Sequence, residues 1–522
     1  MMFRDENDSV MNKAQKKYRE LSEQRTQKGA DKNTSQAAIF PTPKNDSWPQ
    51  STALVVARSD SPHRTYSMTW ELVPSLETQA LEFFAANYIV EPGIILRGHF
   101  QWIFELLGAN QVDLALQSSF SAASLATLAT TTKSQAIMER AQHQYVTALK
   151  CTNKALQDPN MATRDSTLVS VIFLGMYESC IYKKKSLHAW TEHVKGACTL
   201  LALRGKSQLR SDMGLKIFQQ FYGTVLTICF ENGVPLPSII PELYEEMIAI
   251  GKHGILAKQW STRLSRILHG SITISQDTAS DPATMVLKAW QLEEDIISIM
   301  EHMPTLWKHK TVHLDRPAES VFGHFYHIYL DAFVPYILNN IRSTRIRLNT
   351  VLRMQIIKGM QASPPCFSTD EAENQLKYSE RVIRCQIANI CASMPQLSGQ
   401  VAFPDLSKFG HSTSTAPMDF IDPLEDKFRI HPQGTFIQRA SATGLDHVIP
   451  ILYAIGRSDL GPPGLTQWTI DQLSFITFKI GMKQAAVLAE DLKQRLKRRT
   501  VSGMIEEVDS LCVPRFLDVS GP

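Results

Sequence analysis

Three polar residues near the middle of the chain have a spacing at which their side chains can share one ligand. His324, His327 and Asp331 stand at positions i, i+3 and i+7, which lie on one face of a helix. Two imidazoles and a carboxylate are ligands that Zn²⁺ accepts in proteins. Aromatic and aliphatic residues interleave with them, however, as they do along the polar edge of a packed amphipathic helix. Because isolated motif matches are usually false, we favour this packing role and expect no metal here.

Other histidines, cysteines and acids give weaker signals. His188 and His193 are five residues apart, so on a helix they point about 140° away from each other and cannot chelate one ion. Cys385 and Cys391 have no second cysteine pair at a zinc-site spacing. Glu178 follows a long apolar run, and we expect its carboxylate to reach solvent at the helix edge rather than to be a buried acid.

The sequence lacks the common catalytic motifs. It contains no G-x-x-x-x-G-K-[ST] phosphate loop, no G-x-G-x-x-G dinucleotide turn, no G-x-S-x-G nucleophile turn and no H-E-x-x-H zinc helix. It also has no D-D-x-x-D run, the aspartate cluster with which some all-α enzymes hold Mg²⁺. We therefore expect no catalytic, cofactor-binding or metal-binding residues, no cofactor and no enzyme activity.

Composition limits the classes to which the protein can belong. The 522 residues carry a net charge of only +3, so the composition as a whole does not indicate nucleic-acid binding. The opening residues lack the apolar segment of a secretory signal. The longest uncharged apolar run, 168–177, is shorter than the roughly 20 residues that span a bilayer, so we expect no membrane segment. Eight scattered cysteines suit a reducing compartment.

Residues 1–65 differ from the rest of the chain because they are rich in polar residues and poor in large apolar ones. Such a segment cannot bury enough surface to offset the cost of ordering, and we predict a disordered arm. Its basic stretch has two interpretations: a nuclear-import or DNA-backbone patch, and a solvated arm, which is the commoner role of charge runs. The stretch consists of Lys13, Lys16, Lys17, Arg19, Arg25 and Lys28.

Residues 66–520 have the periodicity of an all-α domain. Ser75 is a good N-cap for a helix that runs to about residue 90. A helix that contains Tyr145 ends at Asp158, because proline follows and cannot continue it. Asp165 can cap the next helix, so the two helices form an αα-hairpin.

Further helices follow to the end of this domain, and strand signals are weak. We predict no sheet of three or more strands, and we expect a multi-helix, stacked, solenoid-like domain without a fixed repeat. Loops are predicted at 361–371 and 403–437, which are rich in proline, serine and aspartate. Helices are predicted at 187–204, 213–231, 283–303, 318–353, 371–394, 440–455 and 469–498.

The most regular segment of the chain runs from Trp190 to Gly205. Its larger side chains recur at intervals of three and four residues, which makes a single helical stripe. Gly196 leaves room for a neighbouring helix, and Gly205 can take the left-handed conformation that ends a helix. These features alone predict a packing helix and no site. The stripe consists of Trp190, His193, Ala197, Leu200 and Arg204.

This segment resembles the hallmark of a known family. Its pattern, W-x-x-H-x-x-G-A-x-x-L-L-x-x-R-G, is similar to that of the fungal-specific transcription-factor regulatory domain, which usually follows a six-cysteine zinc cluster. The resemblance extends in order over about residues 75–355 and more loosely beyond them. The other similar segments are Leu81–Tyr88, Ala148-Leu149, Ala155-Leu156, Thr167-Leu168, Tyr177-Glu178, Ser211, Gly214, Phe218, Tyr329, Asp331-Ala332, Asn340, Arg342 and Arg345-Ile346.

The resemblance implies a nuclear transcriptional regulator with protein partners in the transcription machinery, and it allows a homodimer. In the family, the zinc cluster places a helix in the major groove of DNA. Here the first cysteine is Cys151, inside the helical domain. Either the chain begins at an internal start or the protein lacks the cluster. In both cases we expect this chain to contact DNA only indirectly and not to read a promoter by itself.

Three functions stay open from the sequence. The resemblance implies a transcriptional regulator that senses or relays a signal, with a metabolic gene cluster as the implied kind of target. The alternatives are a helical interaction scaffold and an all-α enzyme without a recognised motif, and the absent motifs weigh against the enzyme. For nuclear import, two basic clusters are candidates. The N-terminal cluster is Lys13, Lys16, Lys17 and Arg19. The C-terminal cluster is Lys493, Arg495, Lys497, Arg498 and Arg499.

Overall fold

The computed structural model describes most of the chain from residue 74 onward. The arm predicted at 1–65 and part of the loop predicted at 403–437 lie outside the described residues. The described residues are 74–90, 99–108, 113–181, 186–232, 234–250, 255–318, 320–405, 421–436 and 442–502.

Helices make up nearly all of the regular structure, so the fold is all-α as predicted. Within the described residues there are sixteen α-helices and one two-stranded antiparallel sheet. The helices are α1 (Leu76–Tyr88), α2 (Ile103–Gly108), α3 (Leu114–Thr132), α4 (Gln135–Gln157), α5 (Pro159–Ala162), α6 (Asp165–Ile181), α7 (Ser186–Arg204), α8 (Asp212–Asn232), α9 (Ile239–Ile250), α10 (Ile255–Ile274), α11 (Pro282–Glu301), α12 (Phe333–Gln361), α13 (Thr369–Leu397), α14 (Ala442–Gly456), α15 (Leu465–Ile480) and α16 (Lys483–Ser502). The strands are β1 (His309–His313) and β2 (Phe325–Tyr329).

Local sequence explains where several helices begin and end. Asp281 caps α11 by accepting a hydrogen bond of 3.0 Å from the amide of Thr284, and Pro282 occupies the first helical position. Asp158 ends α4, as predicted. Asp165, in contrast, is the first residue of α6 and not its N-cap.

Most predicted helices are confirmed, with ends displaced by a few residues. The helix predicted over 469–498 is instead two helices, α15 and α16. Gly481 separates them because it adopts φ +74°, and its amide closes α15 on the carbonyl of Thr477. A Cβ atom at this glycine would stand 2.5 Å from the carbonyl oxygen of Thr127.

The helix predicted over 318–353 is wrong in its first part. Residues 325–329 form β2, which pairs antiparallel with β1, and α12 begins only at Phe333. Four of the five residues of β2 are aromatic or β-branched, and such residues favour strands. His324, His327 and Asp331 therefore lie before, within and after a strand, and they do not share a helix face.

Five helices lie where the sequence pattern makes no specific prediction: α2, α3, α5, α9 and α10. Helix α3 shows one reason. Most of its residues between Ala115 and Thr130 are buried, so it has no polar face and no apolar periodicity. Its beginning is nevertheless marked in the sequence, because Asp113 caps it by accepting from the amide of Leu116 at 2.9 Å.

One continuous apolar core joins the first and the last described helices. Helices α3, α4 and α6 pack together, and α14, α15 and α16 pack together beside them. The phenol of Tyr88 on α1 donates a hydrogen bond of 2.5 Å to the carbonyl of Ile480 at the end of α15, 392 residues away. A second cluster lies between α10, α11 and α12, where the buried Glu293 pairs with Arg345 at 2.5 Å.

Among the helices of the described residues, none combines the length and the apolar character that crossing a membrane requires.

Candidate functional site

The hallmark helix α7 is tied at its end to the start of α6. The guanidinium of Arg204 pairs with the carboxylate of Asp165, 39 residues earlier, and only 7% of the Arg204 side chain is exposed. Gly205 then ends the helix at φ +60° and ψ −162°, so its φ is positive as expected, but its ψ is extended and not left-handed helical. Ala197 and Leu200 of the predicted stripe are buried, and the side chain of Trp190 lies outside the described ones. This helix has the packing role that its pattern predicts.

Glu178 is buried, and the prediction that its carboxylate reaches solvent is wrong. Helix α6 is buried almost throughout, from Ser166 to Cys180, so it offers no edge at which a glutamate can reach water. The carboxyl accepts a hydrogen bond from the phenol of Tyr145 on α4. Burial raises the pKa of Glu178, although the bond from Tyr145 acts in the opposite direction.

The three residues that could share a ligand do not meet. His327 is buried in β2, and its Nδ1 shares a hydrogen bond of 2.9 Å with the phenol oxygen of Tyr329. His324 is exposed. Asp331 accepts a hydrogen bond from the amide of Phe333 at the start of α12. Among the described residues, no three His, Cys, Asp or Glu side chains are grouped closely enough to hold a metal ion.

The surroundings of His327 also disfavour a charged imidazole. Its ring lies 4.0 Å from that of His309, measured between centroids. Burial lowers the pKa of His327, and His309 and Arg342 lower it further. Burial also lowers the pKa of His309 to about 4. This pair of histidines is a neutral, packed part of the sheet.

The remaining sequence candidates are separate from one another. Cys385 is exposed and Cys391 is buried on α13, and burial raises the pKa of the Cys391 thiol. Burial lowers the pKa of His193 to about 4. The side chain of His188 lies outside the described ones.

A cavity of about 130 Å³ lies where α1, α6, α8, α12 and α14 meet. Aromatic and aliphatic side chains make up most of its wall. The wall residues come from separate stretches of the chain between Tyr88 and Gln484. Among the described residues that line it, none is a lysine or an arginine, and one is a carboxylic acid. The cavity is therefore apolar with a small acidic part.

That acid is Asp446, on α14. Its Oδ1 accepts a hydrogen bond of 2.7 Å from the amide of His447, and Nε2 of the His447 ring is 3.9 Å from the same oxygen. The Asp446 side chain is 21% exposed. Burial raises the pKa of Asp446 to about 8, against the smaller effect of the backbone hydrogen bonds. The raised pKa favours the neutral carboxyl, and a cation beside it would favour the ionised form.

Two imidazoles stand in the same part of the wall. The ring of His447 packs on Tyr336 with centroids 4.3 Å apart, and it faces the ring of His99 at 6.1 Å. His99 is itself buried, and its backbone exchanges two hydrogen bonds of 2.9 Å with Val90. Both rings are held in place by packing, so the polar part of the cavity is formed in advance of any ligand.

The aromatic part of the wall contains a strained residue. Phe100 has φ +50°, which a bulky residue rarely adopts. Gln220 on α8 holds it there, because Oε1 accepts from the amide of Phe100 at 2.8 Å and from the indole of Trp102 at 3.1 Å. The Phe100 ring stacks on Phe173 with centroids 5.2 Å apart. Strain of this kind persists where the surrounding structure enforces it, and it is common at ligand sites.

The hydroxyl groups in the wall present acceptors. The hydroxyl of Ser179 donates to the carbonyl of Gly175 at 3.3 Å, and that of Thr227 donates to the carbonyl of Gly223 at 3.0 Å. A hydroxyl has one proton, so both oxygens keep lone pairs for a further donor. The cavity thus combines apolar area with hydrogen-bond acceptors, which suits a small molecule that carries donors.

None of these wall residues stands out in the sequence. Phe100, Gln220 and Asp446 are more than a hundred residues apart from each other, and no motif links them. The adjacent Asp446-His447 pair is the one local signal, and such pairs are too common to be informative.

One part of the chain matches a known family model. Residues 96–225 match the family model of the fungal specific transcription factor domain. The match contains the hallmark from Trp190 to Gly205, and it confirms the resemblance over this part of the chain. It also contains Phe100 and Gln220 of the cavity wall. No curated protein and no solved structure matches the chain.

Proposed function

We propose that the protein is a transcriptional regulator of the fungal type that works in the nucleus. The observation that carries this proposal is the match of residues 96–225 to the fungal specific transcription factor domain. That segment runs from the cavity wall through α7 into α8. The all-α fold agrees with it. The same match favours a regulator without enzymatic activity over the alternative of an all-α enzyme.

The regulator reaches promoters through a partner or through a zinc cluster beyond this sequence. Specific reading of bases needs a rigid element in the major groove. Proteins of the transcription machinery are the proposed partners, and a second copy of the chain is a further one. A metabolic gene cluster is the proposed kind of target. Promoter occupancy in cells, measured by crosslinking and sequencing, tests the proposal against a scaffold. Occupancy at no promoter, in a protein confined to the cytoplasm, would refute the regulator.

Nuclear entry has a separate test. Arg495 pairs with Asp491 at 2.6 Å and so has a local role in α16. The C-terminal variant should therefore keep Arg495 and replace Lys493, Lys497 and Arg498, which are exposed. The N-terminal variant replaces Lys13, Lys16, Lys17 and Arg19. Loss of nuclear signal from a fluorescent fusion in the double variant is expected. A control replaces the exposed Lys150 and Lys195. Unchanged nuclear signal in the double variant would reject both clusters.

Direct DNA binding is tested with purified protein and pooled random DNA. We expect weak, sequence-independent binding that fades steeply with salt, because any basic arm would contact phosphates only. Enrichment of one motif by this chain alone would contradict the proposed dependence on a partner. If a version extended upstream with six cysteines enriches a motif, the zinc cluster supplies the reading. If neither version does, a DNA-bound partner supplies it.

A further inference from the structure

The cavity has the size of a small ligand's ring system. An engineered apolar cavity of about 150 Å³ in another protein takes up benzene, and the cavity described above measures about 130 Å³. One aromatic ring with a short polar arm is the upper limit for full enclosure. Larger molecules would have to extend out of the cavity or displace Phe100 or Trp102, whose positions Gln220 fixes through two hydrogen bonds.

The charged and polar groups in the wall determine which ligand charge is favoured. Asp446 is the one carboxylic acid in the described lining, and the same lining has no lysine or arginine to pair with an anion. Oδ1 of Asp446 accepts from the His447 amide, and a carboxylate has lone pairs on two oxygens with which it can accept from a further donor. Ser179 and Thr227 add acceptor oxygens. An ammonium group has three donors and no acceptor, and it matches this set.

The aromatic wall favours the same choice. Phe100, Trp102 and Phe221 line the cavity and are all nearly inaccessible to solvent. The negative faces of aromatic rings attract organic cations, more strongly where water is excluded. A carboxyl group and aromatic rings in the wall of one cavity therefore act together on a cation that carries an apolar body.

We propose that this cavity binds a small organic cation, a primary amine on a single aromatic ring, with the ammonium group on Asp446 and the ring among Phe100, Trp102 and Phe221. The binding itself rests on the geometry of the cavity. Its role as the signal to which the regulator responds rests on the proposed function.

Binding should be linked to proton release. The cation favours the ionised form of Asp446 and lowers its pKa. Because burial raises the pKa of Asp446 to about 8 in the absence of the cation, we expect binding at pH 7 to release a proton. The other titratable groups of the lining are Tyr88 from α1, His99 from the bridge with Val90, and His447 from α14, while Cys180 of α6 and Lys483 of α16 stand next to lining residues.

The test is calorimetry on the full chain with three probes of one shape: benzylamine, benzyl alcohol and benzoate. A fragment of this size binds with a Kd of about 1 mM at common ligand efficiency. We expect benzylamine to bind at least about tenfold more tightly than benzyl alcohol, because the alcohol lacks the charge. Benzoate should not bind. Titrations in two buffers of different ionisation enthalpy measure the released proton.

Variants locate the binding. Asp446→Asn should lower the affinity for benzylamine at least about tenfold and leave that for benzyl alcohol unchanged. Asp471→Asn removes an exposed carboxylate of α15 and is the matched control. Should Asp446→Asn fail to fold, the probe series and the proton release in the unaltered protein still decide. Equal binding of amine and alcohol, no proton release, or no binding of benzylamine would each overturn the proposal.

The regulatory role of the ligand and the binding itself can be refuted independently. If benzylamine binds as expected but the Asp446→Asn variant activates or represses its promoters unchanged, the ligand class stands and the signalling role is lost. If promoter occupancy is absent altogether, the proposed function fails while the calorimetric result is unaffected.

Discussion

The phenol of Tyr145 donates a hydrogen bond to the carboxyl of Glu178, and this bond joins the middle of α4 to the last turn of α6 inside the core. The ring of Tyr145 also stacks on that of Tyr177, with centroids 4.2 Å apart. The pair lets an acid stay in an apolar helix that has no access to water.

Tyr145→Phe keeps the ring stacking but removes the donor from Glu178. We expect a loss of about 1–3 kcal/mol in the free energy of unfolding, because a buried carboxyl is left without its partner. Urea unfolding followed by circular dichroism measures the loss. In a Glu178→Leu background the same exchange should cost much less, since both polar partners are then gone. An equal cost in the two backgrounds would show that the hydrogen bond is not the cause.

Asp446 should make stability fall as the pH rises. Burial raises its folded-state pKa from 3.8 to about 8, so the folded protein holds the proton more tightly than the unfolded chain does. The resulting stabilisation is fully present below pH 3.8 and is lost as the pH rises to about 8. Asp446→Asn should therefore gain stability relative to the unaltered protein between pH 5 and pH 8, measured by urea unfolding. Asp471→Asn, at an exposed site, should show no such gain.

Arg204 should stabilise the junction of α6 and α7. Arg204→Ala removes a nearly buried guanidinium from Asp165, and we expect a loss of about 1–3 kcal/mol in the free energy of unfolding. Arg204→Lys should have a free energy of unfolding between those of the unaltered protein and Arg204→Ala. It keeps the positive charge, but an ammonium cannot reproduce the planar geometry of the guanidinium. Arg210→Ala, six residues further along and exposed, is the control. Thermal unfolding that shifts equally for Arg204→Ala and Arg210→Ala would contradict this role.

Alanine substitutions at Gly464 and Gly481 distinguish the cost of backbone strain from the cost of a steric clash. Both have positive φ, +74° and +84°. A Cβ atom at Gly464 meets no atom within 4 Å, whereas one at Gly481 stands 2.5 Å from the carbonyl oxygen of Thr127 on α3. Gly464→Ala should cost about 1–2 kcal/mol from conformation alone, and Gly481→Ala clearly more. Equal melting temperatures for the two variants would mean that α3 moves away from the new side chain at little cost.

Local signals in the sequence predict much of the fold. The Asp281-Pro282 start of α11, the end of α4 at Asp158 and the separation of α7 from α8 near Gly205 all depend on neighbouring residues. Their physical causes, capping and backbone conformation, act within one turn of helix. For these elements a single sequence is sufficient.

Tertiary context decides the features that the sequence does not predict. Residues 325–329 pair with β1, and only the partner strand distinguishes this from the start of a helix. Glu178 has a donor on another helix, 33 residues away in the chain. The cavity brings Phe100, Gln220 and Asp446 together across three distant segments, and no local pattern encodes that meeting. The sequence therefore identifies the family of the segment but not the cavity.

The hydrogen bond from Tyr88 to Ile480 sets an order of events during synthesis. The two residues are 392 positions apart in the sequence. At common elongation rates of about 5–20 residues per second, Ile480 is synthesised about 20–80 s after Tyr88. During that interval α1 and the wall of the cavity lack the C-terminal helices that contact them. The nascent chain thus exposes apolar surface for most of its translation, and chaperone binding to stalled ribosome complexes should decline only when α15 has emerged.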